Sequence, residues 1–273
     1  MAGTNSGTNT GTNSGTTTTD GVAIHHESIG AGRDLVLVHG LTDSSPTWAP
    51  ITSMLAEHYR VTTLDLRGMG RSGDARDYTA AGMARDIAAV VEAAGIHDPL
   101  VVGHSLGGAV ATAYAGAAPV RGTVNVDQTL RLGSFQAGLQ GVEAMLRDPA
   151  TFPGVIAAVF SAMDGDQLTA DQVAVIASHR RQRQEVVLGV WDQVFHTPIA
   201  YLDAEMAAMT GRIDTPYLSL QFAEEDKEYT AWLQRLIPQA LVENWSVPDG
   251  VLGHYGHLVQ PQRFVERVLS FDQ

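Results

Sequence analysis

The sequence predicts an α/β fold: a mostly parallel central sheet with helices on both faces and a helical segment inserted into it. Three observations predict it. From residue 21 onward, short apolar runs bounded by turn residues alternate with stretches of helical periodicity, the pattern of strands joined by crossover helices. That alternation stops after Asp127 and returns near Tyr217, leaving residues 129–211 with helical spacing only. Finally, the apolar run at residues 99–102 leads straight into Gly103-His104-Ser105-Leu106-Gly107 and then into a helix of small residues.

Taken in order, residues 1–20 repeat Gly, Thr, Asn and Ser with almost no apolar side chains, a composition expected to give a disordered low-complexity tail. Strands are expected at 22–27 and 34–38, the second running into His39-Gly40-Leu41, and a helix at 50–58. A strand at 61–65 feeds the glycine-bearing loop 66–72, and a helix at 79–94 ends on Gly95 as C-cap. The strand at 100–102 and its helix, closed before Pro119, are followed by a β-branched run at 120–126. Helices are then expected at 134–147, 149–163, 169–195 and 198–209. The strand pattern resumes at 217–222, with a helix at 228–237, a strand at 241–246 and a last helix at 261–271. The predicted organisation is a tail (1–20), an α/β core (21–128 and 212–273) and a helical cap, or lid (129–211).

Composition narrows the function classes. The 273 residues carry a formal net charge of −13, which argues against nucleic acid or an anionic membrane as partner, because both reward Lys and Arg. There is no cysteine, so disulfides, thiolate catalysis and cysteine metal sites are excluded. No apolar stretch approaches the roughly 18 residues of a membrane span, and the N-terminus lacks the basic and apolar regions of a secretory signal, so a cytoplasmic location is expected.

The chemistry centres on Ser105. A serine on a sharp strand-to-helix turn needs small neighbours on both sides, which Gly103 and Gly107 provide; the turn lifts the hydroxyl clear of the sheet. The backbone N–H of Leu106, at the start of the helix, faces the place where negative charge develops on an attacked carbonyl. Ser105 is therefore the candidate nucleophile and Leu106 a candidate oxyanion donor.

Taken together, His39-Gly40 after a strand, Gly103-His104-Ser105-Leu106-Gly107, Gly253-His254 near the C-terminus and the segment Asp65-Leu66-Arg67-Gly68-Met69-Gly70-Arg71-Ser72 resemble the α/β-hydrolase superfamily in its capped branch, in element order from residue 21 to 271. The resemblance implies that Leu41 supplies a second oxyanion N–H, that His39 packs its loop, and that the Asp65 loop is structural. It places the catalytic base between the last strand and the last helix, after a glycine and seven residues before a proline. That spacing selects His254 over its rival His257. The orienting acid follows either the sixth strand, at Asp127, or the seventh, among Glu224, Glu225 and Asp226. The later loop departs from the family's usual Gly-x-x-Asp, having Phe222 where the glycine is expected, so Asp127 is favoured.

On this reading the chain is a serine hydrolase, an esterase or lactonase acting on a small, apolar substrate through an acyl-enzyme, and requires neither metal nor organic cofactor. The substrate is expected between core and cap, with Trp48 and Trp191 as pocket residues; Phe152, Phe160, Met163 and Phe195 are further candidates that could equally be cap core. The alternatives are other chemistry on the same scaffold (carbon–carbon bond hydrolysis, peracid formation, amide cleavage) and a ligand-binding or signalling protein.

Overall fold

The computed structural model describes residues 12–273; the expected tail at residues 1–11 lies outside the described residues. Strand β1 (Asn13–Thr19) is followed by β2 (Val22–Gly30), β3 (Arg33–Val38), a 3-10 turn at Ser45–Trp48, α1 (Ala49–Leu55), β4 (Tyr59–Leu64), α2 (Ala80–Ala93), β5 (Leu100–His104), α3 (Leu106–Ala115) and β6 (Gly122–Val126). Five helices come next without a strand among them: α4 (Gly133–Arg147), α5 (Phe152–Met163), α6 (Ala170–His179), α7 (Gln184–Phe195) and α8 (Ile199–Thr210). The chain closes with β7 (Tyr217–Gln221), α9 (Lys227–Leu236), β8 (Ala240–Asn244), α10 (Gly256–Val259) and α11 (Pro261–Phe271).

The eight strands form one sheet in the order β1-β2-β4-β3-β5-β6-β7-β8. Strands β3 to β8 pair in parallel, while β2 is antiparallel to both β1 and β4. Alternation along β3 shows why the sheet must be covered twice. Val36 and Val38 pack into the core with Ile87 and Val90 of α2 and Val110 of α3, whereas Leu35 and Leu37 join Ile51 and Leu55 of α1 and Phe264 and Val268 of α11 on the other face.

The first correction concerns residues 13–19, which form a strand and not part of a tail. Thr16 to Thr19 pair with His25 to Val22, and the connection is Asp20-Gly21 with φ of 53° and 77°. Two consecutive positive φ angles over Asp-Gly make the two-residue hairpin turn whose twist matches the strands it joins, and threonine suits an edge strand. A second correction concerns the helix expected at 169–195, which is two. Its chain leaves helical geometry at Arg180, with ψ of 129°, and re-enters it after Arg183, with ψ of 122°. The break is imposed by tertiary contacts, since Arg181 N–H donates to Thr42 O at 2.7 Å and Arg183 reaches the Gly68 carbonyl and the Asp74 carboxylate.

The loop after β4 is tied from within. The Asp65 carboxylate accepts from Ser45 N–H at 2.7 Å and Arg71 N–H at 2.8 Å, and the buried Arg67 guanidinium meets Asp86 of α2 at 2.6 Å. His39 Nε2 accepts from Leu66 N–H at 3.0 Å while its Nδ1–H donates to Gly40 O at 2.8 Å, so both ring nitrogens are committed to holding this loop against the one after β3.

Candidate active site

Ser105 sits between β5 and α3 with φ 53° and ψ −129°, a strained conformation for a residue with a side chain. Two backbone hydrogen bonds hold it there. Its N–H donates to Val126 O at 2.9 Å, and its carbonyl accepts from Gly108 N–H at 2.6 Å, starting α3. A β-carbon on Gly103 would run into the Gly107 carbonyl, and one on Gly107 into the Val38 carbonyl, so only glycine lets strand, turn and helix approach this closely. A β-carbon on Gly40 would lie 3.1 Å from that of Ser105, which puts the loop after β3 directly against the serine.

That loop is a tight turn. Asp43 N–H donates to Gly40 O at 3.2 Å, and Thr42, at its third position, has φ 68°, where glycine is the usual occupant. Among the described residues, neither Leu41 N–H nor Leu106 N–H has a hydrogen-bond acceptor. The two sequence-predicted oxyanion donors are thus both uncommitted.

His254 and Asp127 come together although they lie in different connections. Asp127 ends β6 at φ 53°; its N–H donates to Leu220 O at 2.7 Å and its Oδ1 accepts from Phe222 N–H at 2.8 Å, which fixes the carboxylate. Its Oδ2 accepts from His254 Nδ1–H at 2.6 Å. A carboxylate on Nδ1 leaves Nε2 as the basic nitrogen, and that atom is buried with no hydrogen-bond partner among the described residues. The imidazole stands 4.5 Å, centroid to centroid, from that of His104, the residue before Ser105. His104 Nε2–H in turn donates to the His254 carbonyl at 2.8 Å, binding the base's loop to the strand that carries the serine.

The rival residues have other tasks. His257 is 1% exposed, wedged between Trp48, Phe222 and Phe264. Asp226 caps α9 by accepting from Glu228 and Tyr229 N–H, and Glu224 and Glu225 are exposed. Trp48 requires a correction: it is 1% exposed in the core beneath the sheet, 5.0 Å from His257 and 6.3 Å from Phe264, and offers no wall to a substrate. An aromatic in the turn after the His39-Gly40 loop is drawn under the sheet because α1 and α11 leave an apolar slot there. Trp191 of α7 is buried edge-on to Phe135 of α4, inside the insert. The buried Asp43 and Tyr255 and the half-buried Arg180, which composition and spacing gave no reason to single out, also border this site. Only their flanking of Leu41 and His254 in sequence could have flagged the first two.

The histidines under the site predict a pH dependence of stability. Burial, reinforced by nearby His254, pushes His257 down to about 3, and burial with the neighbouring histidines pushes His104 well below the usual histidine value. Below pH 6.5 the unfolded chain protonates both residues and the folded chain does not. The unfolded state then binds more protons, and stability falls as pH drops toward 3. For His257 the expected loss between pH 6.5 and 5 is on the order of 1–2 kcal/mol. Urea midpoints at the two pH values measure it, and His257→Gln should flatten the slope by one proton; equal slopes in parent and variant would contradict the assignment.

Comparison with known proteins gives the family. Residues 35–267 match the model of the alpha/beta hydrolase family. The uncharacterized protein Rv2715 of Mycobacterium tuberculosis is 34% identical over 140 residues, which are 46% of this chain and 40% of that protein. The pimeloyl-[acyl-carrier protein] methyl ester esterase of Sodalis glossinidius is 38% identical over 113 residues, 40% of this chain and 42% of the esterase. The alignments therefore span about two fifths of these curated relatives. A solved structure, a putative aryl esterase from Burkholderia cenocepacia, superposes with a TM-score of 0.74 at 25% identity, covering 95% of this chain and 97% of that one. With its sheet order, its strained serine turn and a family match over most of its length, the chain belongs to the alpha/beta hydrolase family.

Proposed function

We propose that the chain is a serine hydrolase that cleaves an ester or lactone bond of a small, apolar substrate through an acyl-enzyme. The observation that carries this reading is the 2.6 Å contact between Asp127 and His254 Nδ1, with Nε2 left buried and without a partner among the described residues, on a ring 4.5 Å from that of His104, the residue before the strained Ser105. His254 Nε2 takes the hydroxyl proton as Ser105 Oγ attacks the carbonyl carbon, and Asp127 stabilises the imidazolium that forms. Leu41 and Leu106 N–H donate to the oxyanion, each worth about 3–4 kcal/mol in the transition state. The tetrahedral intermediate collapses as His254 returns its proton to the leaving alcohol, and water, activated by the same nitrogen, releases the acid.

The insert of five helices serves as the cap. It is bonded to the core beside the site, with His254 N–H donating to the Met163 carbonyl at 2.7 Å and Arg181 N–H to Thr42 O. Substrate enters between this cap and the strand ends, where open α/β sheets bind their ligands. Two of the three similar proteins bear esterase names, a methyl ester esterase and a putative aryl esterase, which favours ester chemistry. The test is hydrolysis of p-nitrophenyl esters of increasing acyl length: repeated turnover with an optimum at short chains is expected, and no turnover on any ester or lactone would overturn the reading.

A further inference from the structure

Next to the oxyanion loop lies a buried polar cluster that the chemistry above does not use. Tyr255, the residue after His254, donates its hydroxyl to Asp43 Oδ2 at 2.7 Å, and Asp43 closes the turn that carries Leu41. Arg180, from the break between α6 and α7, donates to the Tyr255 hydroxyl at 2.9 Å and sits with its Nε 3.8 Å from Asp43 Oδ1. Its guanidinium also reaches Asp164 at 3.3 Å and covers the Phe160 ring at 4.6 Å. Asp43 is 1% exposed, and burial raises its carboxyl above the usual range.

Stability does not account for this cluster. A buried ion pair contributes little over well-packed apolar residues even when its geometry is good, and here Asp43 Oδ1 and Arg180 Nε face each other beyond hydrogen-bonding distance, each without a partner among the described residues. Its location is informative instead. It joins the loop of the base, the loop of the oxyanion donor and the cap connector at one point. The element at that point is under strain: Thr42 is β-branched, fully buried, at φ 68°, and its hydroxyl has no hydrogen-bond partner among the described residues. Such a conformation costs about 1–3 kcal/mol and persists only where neighbours over-determine it. The neighbours are Arg181 N–H on the Thr42 carbonyl and Tyr255 with Arg180 on the Asp43 carboxylate.

We propose that Asp43, Tyr255 and Arg180 are positioning residues that clamp the strained Thr42 turn and so aim the Leu41 N–H at the transition-state oxygen, which makes the cap connector at residues 180–183 part of the oxyanion machinery. The proposal rests on the serine-hydrolase reading above. Without the clamp, Thr42 relaxes to negative φ, the 40–43 turn opens, and the Leu41 N–H swings away while Ser105, His254 and Asp127 keep their places.

The test measures the rate at which a fluorophosphonate labels Ser105, because its phosphoryl oxygen takes the oxyanion position and no knowledge of the substrate is needed. Tyr255→Phe should slow labelling about 10-fold, less than outright loss of a donor, and should lower kcat on a turned-over ester with KM unchanged. Placing glycine at the strained position removes the reason for the clamp, so in a Thr42→Gly background the same Tyr255→Phe change should cost less than about 3-fold. Thermal melting confirms that the variants are folded. A labelling rate for Tyr255→Phe within twofold of the parent, or an equal loss in both backgrounds, would overturn the clamp while leaving the serine reading intact. If the parent's Ser105 is not labelled at all, the serine reading fails and takes the clamp with it.

Discussion

Ser105→Ala is expected to lower kcat on a p-nitrophenyl ester by about 10⁴-fold or more, with KM close to the parent's. The size follows from the geometry. Ser105 is the residue on which β5, α3 and the Gly40 loop converge, and no cysteine exists to replace it as a nucleophile. Alanine accepts the same backbone at similar strain, so the loss is chemical: the oxyanion donors and the cap remain, and any residual rate reports their contribution to attack by water. A steady-state assay of parent and variant, with melting curves to show that both are folded, reads the effect. A variant within tenfold of the parent would mean that hydrolysis proceeds without acylation of this serine.

Asp127→Asn is expected to lower kcat by about 10⁴-fold with little change in stability. Asparagine preserves shape and can still accept from Phe222 N–H. Facing His254 Nδ1, however, its amide can donate, which favours the tautomer with the proton on Nε2, the atom that must be free to take the proton of Ser105. The imidazolium also loses its counter-charge. The control changes are Glu225→Gln and Asp226→Asn, expected within about threefold of the parent because one side chain is exposed and the other caps a helix. A large loss at either control, with Asp127→Asn near the parent, would move the acid to the loop after β7.

What the sequence made legible was whatever depends on local spacing. The strained serine turn announces itself because only glycines at 103 and 107 let the backbones approach, and His254 is distinguished by a glycine before it and a proline seven residues on. Asp127 was favoured over Glu224, Glu225 and Asp226 in the sequence only through the missing glycine at Phe222; what orients it lies a strand away and some ninety residues later in the chain, where Leu220 O holds its backbone N–H and Phe222 N–H its carboxylate. Misreadings have equally specific causes. Repeated Thr, Gly and Asn at residues 13–21 suggested a tail, although Asp20-Gly21 carries the hairpin signal and the edge of β2 supplies the partner that threonines need. The stretch from 169 to 195 reads as one helix because the polar run 178–185 between its apolar ends holds neither proline nor glycine, and contacts to the core reveal the break. Trp48 was taken for a pocket wall because sequence cannot say on which side of the sheet a loop aromatic lands.

The most direct test of the account is to mix the protein with p-nitrophenyl butyrate, quench in acid within the first turnovers, and map the peptides by mass spectrometry. The account predicts a butyryl group on the peptide bearing Ser105, formed with a burst of p-nitrophenol and absent from Ser105→Ala. Turnover without any acylated peptide, or an acyl group on another residue that disappears as product forms, would contradict it.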